Sequence, residues 1–95
     1  MHPKYEHYSD EEYLQWIREQ PSCVSGLPPP SDPHHVWNTG KKGKRNDYLA
    51  VPLTREEHSW YHSKGHESFE IAYNVSFEHL IIRMLSKYIG EKNER

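Results

Sequence analysis

The chain has 95 residues, of which 34% are hydrophobic and 27% are charged. This length predicts one small domain over residues 1–95. Its hydrophobic core would be small, so a covalent cross-link, a bound metal or a partner chain would help to stabilise the fold. No run approaches the ~20 apolar residues of a membrane span, and no apolar run follows Met1–Lys4. We therefore expect neither a membrane protein nor a signal peptide.

The cysteine content excludes two classes of small protein. Cys23 is the only cysteine, which excludes an internal disulfide framework and a structural zinc site built from several cysteines. A chain of this kind suits a reducing compartment, so we predict a cytoplasmic protein.

The charge is unevenly distributed along the chain. The net charge is −2, but Lys41, Lys42, Lys44 and Arg45 place four positive charges within five residues. Without them, 8 basic side chains stand against 14 acidic ones. An acidic body with one basic loop favours contact with an anionic partner such as DNA, and the alternative is a solvated surface loop.

The first predicted element is a helix over residues 9–20. Ser9 is the candidate N-cap and Glu12 stands at the third helical position, as in a capping box. One apolar face of this helix is predicted from Tyr13, Leu14, Trp16 and Ile17. Five prolines in residues 21–33 then predict an extended connection.

A hairpin is predicted next. Residues 35–38 form a short strand in this interpretation, because Val36 and Trp37 favour strand. A basic loop containing glycine follows at residues 39–45. The second strand is predicted from Tyr48, Leu49 and Val51, and Pro52 ends it.

Two more helices complete the prediction. Thr54 and Glu57 make a second capping box, which begins a short helix that a left-handed Gly65 ends. A connector leads to a last helix over 76–90, which Gly90 ends. Its apolar positions are Phe77, Leu80, Ile81, Met84, Leu85, Tyr88 and Ile89. The predicted fold class is α+β.

Five of the eight histidines lie between positions 34 and 66, namely His34, His35, His58, His62 and His66. His58 and His62 are four residues apart on a predicted helix, so one ion can reach both rings. His34 and His35 are neighbours on a strand and point to opposite sides, which suits one to hold a metal and the other to face a substrate. The alternative is a solvated helix face and a chance doublet.

Three motifs and a glycine occur in order along the chain: Asp32-Pro33-His34-His35-Val36, Ala50-Val51-Pro52-Leu53-Thr54, His58-x-x-x-His62 and then Gly65. Together with the basic loop they resemble HNH endonucleases of the ββα-metal group, and in particular small phage and prophage HNH proteins that include RecA-dependent nucleases. The resemblance covers roughly residues 22–70, and the combination is specific although each motif alone is not. It implies a ββα-metal core over 33–65, with an N-terminal and a C-terminal helix packed around it.

The resemblance also implies an activity and a set of site residues. The activity is metal-dependent hydrolysis of DNA phosphodiester bonds. His34 matches a metal ligand, and His58 and His62 match the remaining ligand positions. His35 matches the general base that activates water, a task that suits a neutral histidine.

The middle asparagine of the HNH motif, which normally orients the base histidine, has no clear counterpart. Counting back from His58 leads to Leu49 or Ala50, which cannot orient a histidine. Asn46 and Asp47 are the nearest polar candidates, and Asp47 is favoured.

Many relatives carry two cysteine pairs that hold a structural zinc. Here Cys23 stands where one pair would begin, and Thr54 stands where a later cysteine would be. We therefore predict that Cys23 is a small core residue.

The implied ligands are three imidazoles, which favour zinc, with manganese, nickel or cobalt for activity, over magnesium. The implied partner is DNA, bound through the basic loop. A homodimer would allow both strands to be cut, and a role in phage or host recombination or packaging would place the chain in the host cytoplasm.

Two other functions stay open. One is a non-catalytic DNA-binding module in which the metal only stabilises an HNH frame. The other is a protein-binding adaptor that uses Trp16, Trp37 and the last helix. His35 separates nuclease from module, because a structural metal site gives it no role.

Overall fold

A computed structural model describes residues 8–37 and 45–94 of the chain. The elements in chain order are α1 (Glu11–Arg18), β1 (Asp32–His35), a short 3-10 helix (Asp47–Leu49), β2 (Ala50–Leu53), α2 (Arg55–Lys64), α3 (His66–Tyr73) and α4 (Phe77–Asn93). The two strands form one antiparallel sheet, which confirms the α+β class. Lys41, Lys42 and Lys44 of the predicted basic loop lie outside the described residues.

The N-cap of helix α1 lies one residue later than its sequence suggests. Asp10, not Ser9, is the N-cap, and its Oδ1 accepts a hydrogen bond of 3.0 Å from the N–H of Tyr13. The prediction of Ser9 was wrong because a distant residue also binds Asp10: the hydroxyl of Tyr48 donates to its Oδ2 at 2.5 Å. The predicted apolar face is confirmed, since Tyr13, Leu14 and Ile17 are buried and Trp16 packs at its edge.

The hairpin is shifted from its predicted position. β1 lies at residues 32–35, whereas Val36 and Trp37 form a turn. The N–H of Val36 donates to the carbonyl of Leu49 at 3.2 Å. Hydrogen-bonded and non-hydrogen-bonded pairs alternate along an antiparallel ladder, so Pro33 and Pro52 face each other at a pair that exchanges no hydrogen bonds. Pro52 therefore sits inside β2 and does not end it.

The predicted start of the second strand is also wrong. Tyr48 and Leu49 belong to the 3-10 helix and not to the second strand. Asn46 caps this helix, because its side chain accepts from the N–H of Tyr48 at 2.9 Å. The local Asn cap competes with the strand preference of the following aromatic and apolar residues.

Helix α2 follows its sequence signals closely. The N–H of Glu57 donates to Thr54 Oγ1 at 3.0 Å, and the N–H of Thr54 donates to Glu57 Oε1 at 2.8 Å, which confirms the capping box. The helix ends at Gly65 with φ 99°, a positive value that favours glycine. Its ψ of 169° is extended, so the predicted left-handed helical cap is wrong.

The predicted connector contains a further helix. α3 buries only Phe69, and its Ile71 is 76% exposed, so it lacks the periodic apolar face on which the prediction depended. The ring of Phe69 packs among other aromatic rings, those of Trp60, Tyr61, Tyr73 and Phe77. Long-range packing therefore stabilises a helix that the local pattern does not show.

Helix α4 begins after Ser76 as predicted but continues beyond Gly90 to Asn93. A helical glycine costs only about 1 kcal/mol, and contacts with α1 offset this cost. Glu91 accepts a hydrogen bond of 2.8 Å from the Trp16 indole, and Lys92 lies 3.7 Å from Glu12. Ile89 is 55% exposed, so its assignment to the buried face is also wrong.

The core lies between the sheet, α1, α3 and α4. Cys23 is buried in this cluster, which confirms its predicted packing role. Burial raises the pKa of its thiol to about 12, so the thiol is protonated and unreactive at neutral pH.

Candidate metal centre

Three histidines from two elements converge at one point. His34 comes from β1, and His58 and His62 come from α2. One ring nitrogen of each lies within 4.8 Å of the other two. Helix α2 presents its two histidines on one face because they are four residues apart, and the turn into its capping box positions this face against β1. The structure thus brings together the three residues that the sequence suggested as ligands.

The spacing of His58 and His62 fits a shared ion. Their Nε2 atoms are 3.1 Å apart. Two nitrogen ligands at about 2.0–2.1 Å from one tetrahedral zinc ion are separated by about 3.3 Å. The pair is therefore close to the arrangement that metal binding requires.

His34 supplies a buried and unpartnered nitrogen. Its residue is 4% exposed, and among the described residues its Nε2 has no hydrogen-bond partner. The ring packs against Tyr61 at 4.1 Å and Phe77 at 5.7 Å between ring centroids. A buried polar atom without a partner is costly, and a bound ion would satisfy it.

The charge state of His34 also suits a ligand. Burial, assisted by the nearby rings of His58 and His62, lowers its pKa from 6.5 to about 3. The ring is therefore neutral at pH 7 and has a lone pair to offer.

Asp32 holds His58 from the side away from the cluster. Its Oδ2 lies 3.3 Å from Nδ1 of His58, and Arg55 Nε donates to the same oxygen at 2.7 Å. The Arg55 hydrogen bond, together with His58, lowers the pKa of Asp32, so the carboxylate is ionised. Since a carboxylate only accepts, Nδ1 of His58 carries the hydrogen, and Nε2 is left for the metal. The sequence did not predict this supporting role, because Asp32 and His58 are 26 positions apart.

His35 forms a separate pair with Asp47. Nε2 of His35 lies 2.8 Å from Oδ1 of Asp47, and the residue Asp47 is 3% exposed. Ala50, the position reached by counting, is paired with His35 across the sheet but has no polar side chain. Asp47 reaches the ring from the 3-10 helix that precedes Ala50. The structure thus places Asp47, and not Asn46, on the His35 ring.

The Asp47 carboxylate is bound on both oxygens. The N–H of Asp10 donates to Oδ2 at 2.8 Å, and Arg45 Nε lies 3.8 Å from Oδ1. These contacts fix the carboxylate against His35, because a buried carboxylate with a hydrogen bond on each oxygen has little freedom to reorient.

The histidine cluster and His35 line one cleft of about 760 Å³, and Asp47 contacts His35 without lining the cleft itself. Two arginines line the same cleft, Arg45 from the basic loop and Arg18 from α1. Arg18 was not identified from the sequence, because only the fold brings the end of α1 to the histidines. The described part of the site therefore combines imidazole nitrogens with cationic side chains.

His66 belongs to the cleft wall and not to the metal cluster. Its Nδ1 lies 3.0 Å from the hydroxyl of Tyr61, and its Nε2 lies 3.5 Å from Glu70. The two contacts occupy both ring nitrogens. The sequence assigned this histidine no role.

The fold and the site define a small α+β protein with a candidate three-histidine metal centre. Residues 1–90 match the family described as "Protein of unknown function (DUF968)", and the chain belongs to this family. No curated protein and no solved structure matches the chain. Within residues 8–37 and 45–94, no helix combines the length and the apolar character that crossing a membrane requires.

Proposed function

We propose that this protein is a metal-dependent endonuclease of the HNH type, which hydrolyses DNA phosphodiester bonds. The observation that carries the proposal is that His35, which pairs with Asp47, lines the same cleft as the three-histidine cluster. A metal site alone can be structural, but a metal site beside a histidine–carboxylate pair supports hydrolysis.

The metal would be held by His34, His58 and His62. Their spacing, the unpartnered Nε2 of His34 and the tautomer imposed on His58 by Asp32 all fit a bound divalent ion. When bound, the ion would supply Lewis-acid stabilisation of charge on the scissile phosphate and on the leaving oxygen.

His35 would accept the proton of the attacking water. The carboxylate of Asp47 accepts the hydrogen on Nε2, which leaves Nδ1 of the neutral ring as the basic atom. After proton transfer the ring is cationic, and the adjacent Asp47 carboxylate stabilises it. Asp47 is buried, so this attraction is little screened by water.

The arginines of the cleft would bind the DNA backbone. Arg18 and Arg45 line the cleft that holds the histidines, and Arg45 is half exposed. Phosphate contacts of this kind position the duplex without reading its sequence. Lys41, Lys42 and Lys44 would extend this surface.

The test is a plasmid-cleavage assay beside metal analysis of the same preparation. Wild type, His35→Ala and a control, His79→Ala, are compared with manganese. His79 is exposed on α4 and does not border the histidine cleft. We expect wild type and His79→Ala to cleave supercoiled plasmid, and His35→Ala to retain metal but not to cleave.

Two results would contradict the proposal. One is a metal-loaded wild type that leaves single-stranded, nicked and duplex DNA intact. The other is His35→Ala protein that cleaves at the wild-type rate, which would indicate a contaminating nuclease. Metal-dependent DNA binding without cleavage would instead support the non-catalytic module.

A further inference from the structure

We infer that Trp37 stacks on an unpaired nucleobase next to the bond to be cut, so that the protein prefers DNA with unpaired nucleotides to continuous duplex. This inference rests on the proposed function and adds a substrate class to it. The substrate class comprises bulges, gaps, flaps and single strands.

Trp37 occupies the rim of the histidine cleft. It follows His35 by two residues and lines the cleft together with the histidine cluster and both arginines. The residue is 53% exposed, which is unusual for so large an aromatic side chain in a small protein. Its indole is therefore available to a ligand that enters the cleft.

The backbone at Trp37 is held in an unfavourable conformation. Its φ is 58°, in the left-handed region that a bulky side chain rarely adopts. The preceding Val36 is buried, and its N–H donates to the carbonyl of Leu49 at 3.2 Å, which fixes the turn. Glycine or asparagine would fit this turn with less strain, so the presence of tryptophan indicates a use for its side chain.

His66 supports the indole from the cleft wall. The two ring centroids are 6.2 Å apart, and the ring planes are inclined by 31°. His66 is itself held by the Tyr61 hydroxyl at 3.0 Å and lies 4.9 Å from the Phe77 ring. The tryptophan thus has a preorganised neighbour on the cleft side.

The occupant follows from the chemistry of this rim. Base–aromatic stacking tolerates every base, because each base has a π-face, and nearby cations bind the flanking phosphates. Arg18 and Arg45 supply such cations in the same cleft. In continuous duplex both faces of a base are covered by its neighbours, so a base reaches Trp37 only when it is already unpaired or has been extruded.

The first experiment measures stacking without cleavage. The double variant Trp16→Phe/Trp60→Phe leaves Trp37 as the only tryptophan. Its fluorescence is titrated in chelator with a short single-stranded oligonucleotide and with the matched duplex. We expect saturable quenching, with the single strand binding roughly 5-fold or more tightly than the duplex. If the double variant does not fold, the difference in quenching between wild type and Trp37→Phe gives the same information.

The second experiment measures substrate preference. kcat/KM is compared for a duplex with one central bulged nucleotide and for the same duplex fully paired. Trp37→Ala should lower the ratio of the two values by roughly 5- to 150-fold, and Trp37→Phe should lower it less. Trp60→Phe is the matched control, because Trp60 packs on Phe69 and Tyr73 and does not border the histidine cleft.

The outcomes separate this inference from the proposed function. Equal quenching by single strand and duplex, or a Trp37→Ala protein with an unchanged ratio, overturns the stacking inference even if wild type cleaves DNA. Preferential quenching by single strands with no cleavage under any metal supports stacking and refutes the nuclease.

Discussion

The carboxylate of Asp47 joins the N-cap of α1 to the ring of His35. Its Oδ2 accepts from the N–H of Asp10, and its Oδ1 lies against His35 Nε2, each at 2.8 Å. Asp10 in turn accepts from the Tyr48 hydroxyl, which lowers the pKa of Asp10 and raises that of Tyr48 to about 12. The first helix and the hairpin therefore meet at the proposed base, so packing of α1 positions His35.

The first prediction separates His35 from its neighbour His34. His35→Ala should lower the cleavage rate by about 10²- to 10⁴-fold, the usual contribution of a general base. Its metal content and melting temperature should stay near those of wild type, because His35 is not part of the histidine cluster. His34→Ala should lose metal. The measurements are plasmid cleavage, elemental analysis and thermal unfolding, and equal metal loss in both variants would contradict the assignment.

The second prediction concerns the carboxylate behind the metal cluster. Asp32→Asn should weaken metal binding by roughly 10- to 100-fold, because the carboxylate that orients His58 is lost while the side chain keeps its shape. Glu56→Gln removes an exposed charge from the same helix and serves as the control. Competition with a chromogenic chelator gives both affinities, and equal affinities in the two variants would show that Asp32 does not orient a ligand.

These contacts show which parts of the site the sequence could predict. His58 and His62 share a face because of their spacing, and the Thr54 capping box fixes where their helix begins. Both signals are local, so the sequence shows them. The support of Asp32 for His58 crosses 26 positions, and no local pattern specifies it.

Errors in the predicted fold have the same origin. Asp10 displaces Ser9 as the cap of α1 because Tyr48, 38 positions away, binds it. Helix α4 passes Gly90 because its last turn contacts α1 through Glu91. Tertiary contacts thus override local preference wherever two elements meet.

The third prediction is a loss of stability of the metal-free protein in mild acid. His34 has a pKa of about 3 in the folded chain, against an ordinary value of 6.5. Below pH 6.5 the unfolded chain binds a proton at His34 that the folded chain does not bind. The free energy of unfolding therefore decreases as the pH is lowered, by up to about 1.4 kcal/mol per pH unit. The contribution of His34 to stability is fully present only above pH 6.5.

Urea unfolding in chelator between about pH 4.5 and pH 6.5 measures this slope, above the range where most carboxylates titrate. His34→Leu removes the titrating ring and should give a shallower slope, whatever its absolute stability. An identical slope in both proteins would show that His34 is not the group responsible.

The fourth prediction concerns the basic loop. Replacing Lys41, Lys42, Lys44 and Arg45 with glutamine should weaken DNA binding and flatten its dependence on salt. Each phosphate contact contributes about −0.9 to the slope of log K against log salt, so the slope should fall in magnitude by roughly 2–4. Lys87→Gln, an exposed change on α4, is the control for general charge. A salt dependence equal to that of wild type would mean that the loop does not contact DNA.

The fifth prediction identifies the ion. The candidate cluster in the described residues contains three imidazoles and no carboxylate, and Asp32 is engaged by Arg55 and His58. Magnesium prefers oxygen ligands and retains its waters, so it should bind this set poorly. Imidazole suits zinc, nickel, cobalt and copper, and we expect zinc in the purified protein by elemental analysis.

Zinc need not be the best ion for catalysis. A closed tetrahedral zinc has little room for both a phosphate and a leaving oxygen, so manganese, cobalt or nickel should give faster cleavage than magnesium at equal concentration. Metal affinity should fall below about pH 6, where protons compete for the imidazoles. The measurement is the cleavage rate of the chelator-treated protein reconstituted with each ion in turn. Strict dependence on magnesium, or a crystal structure with Asp32 or Asp47 bound to the ion, would contradict an all-imidazole site.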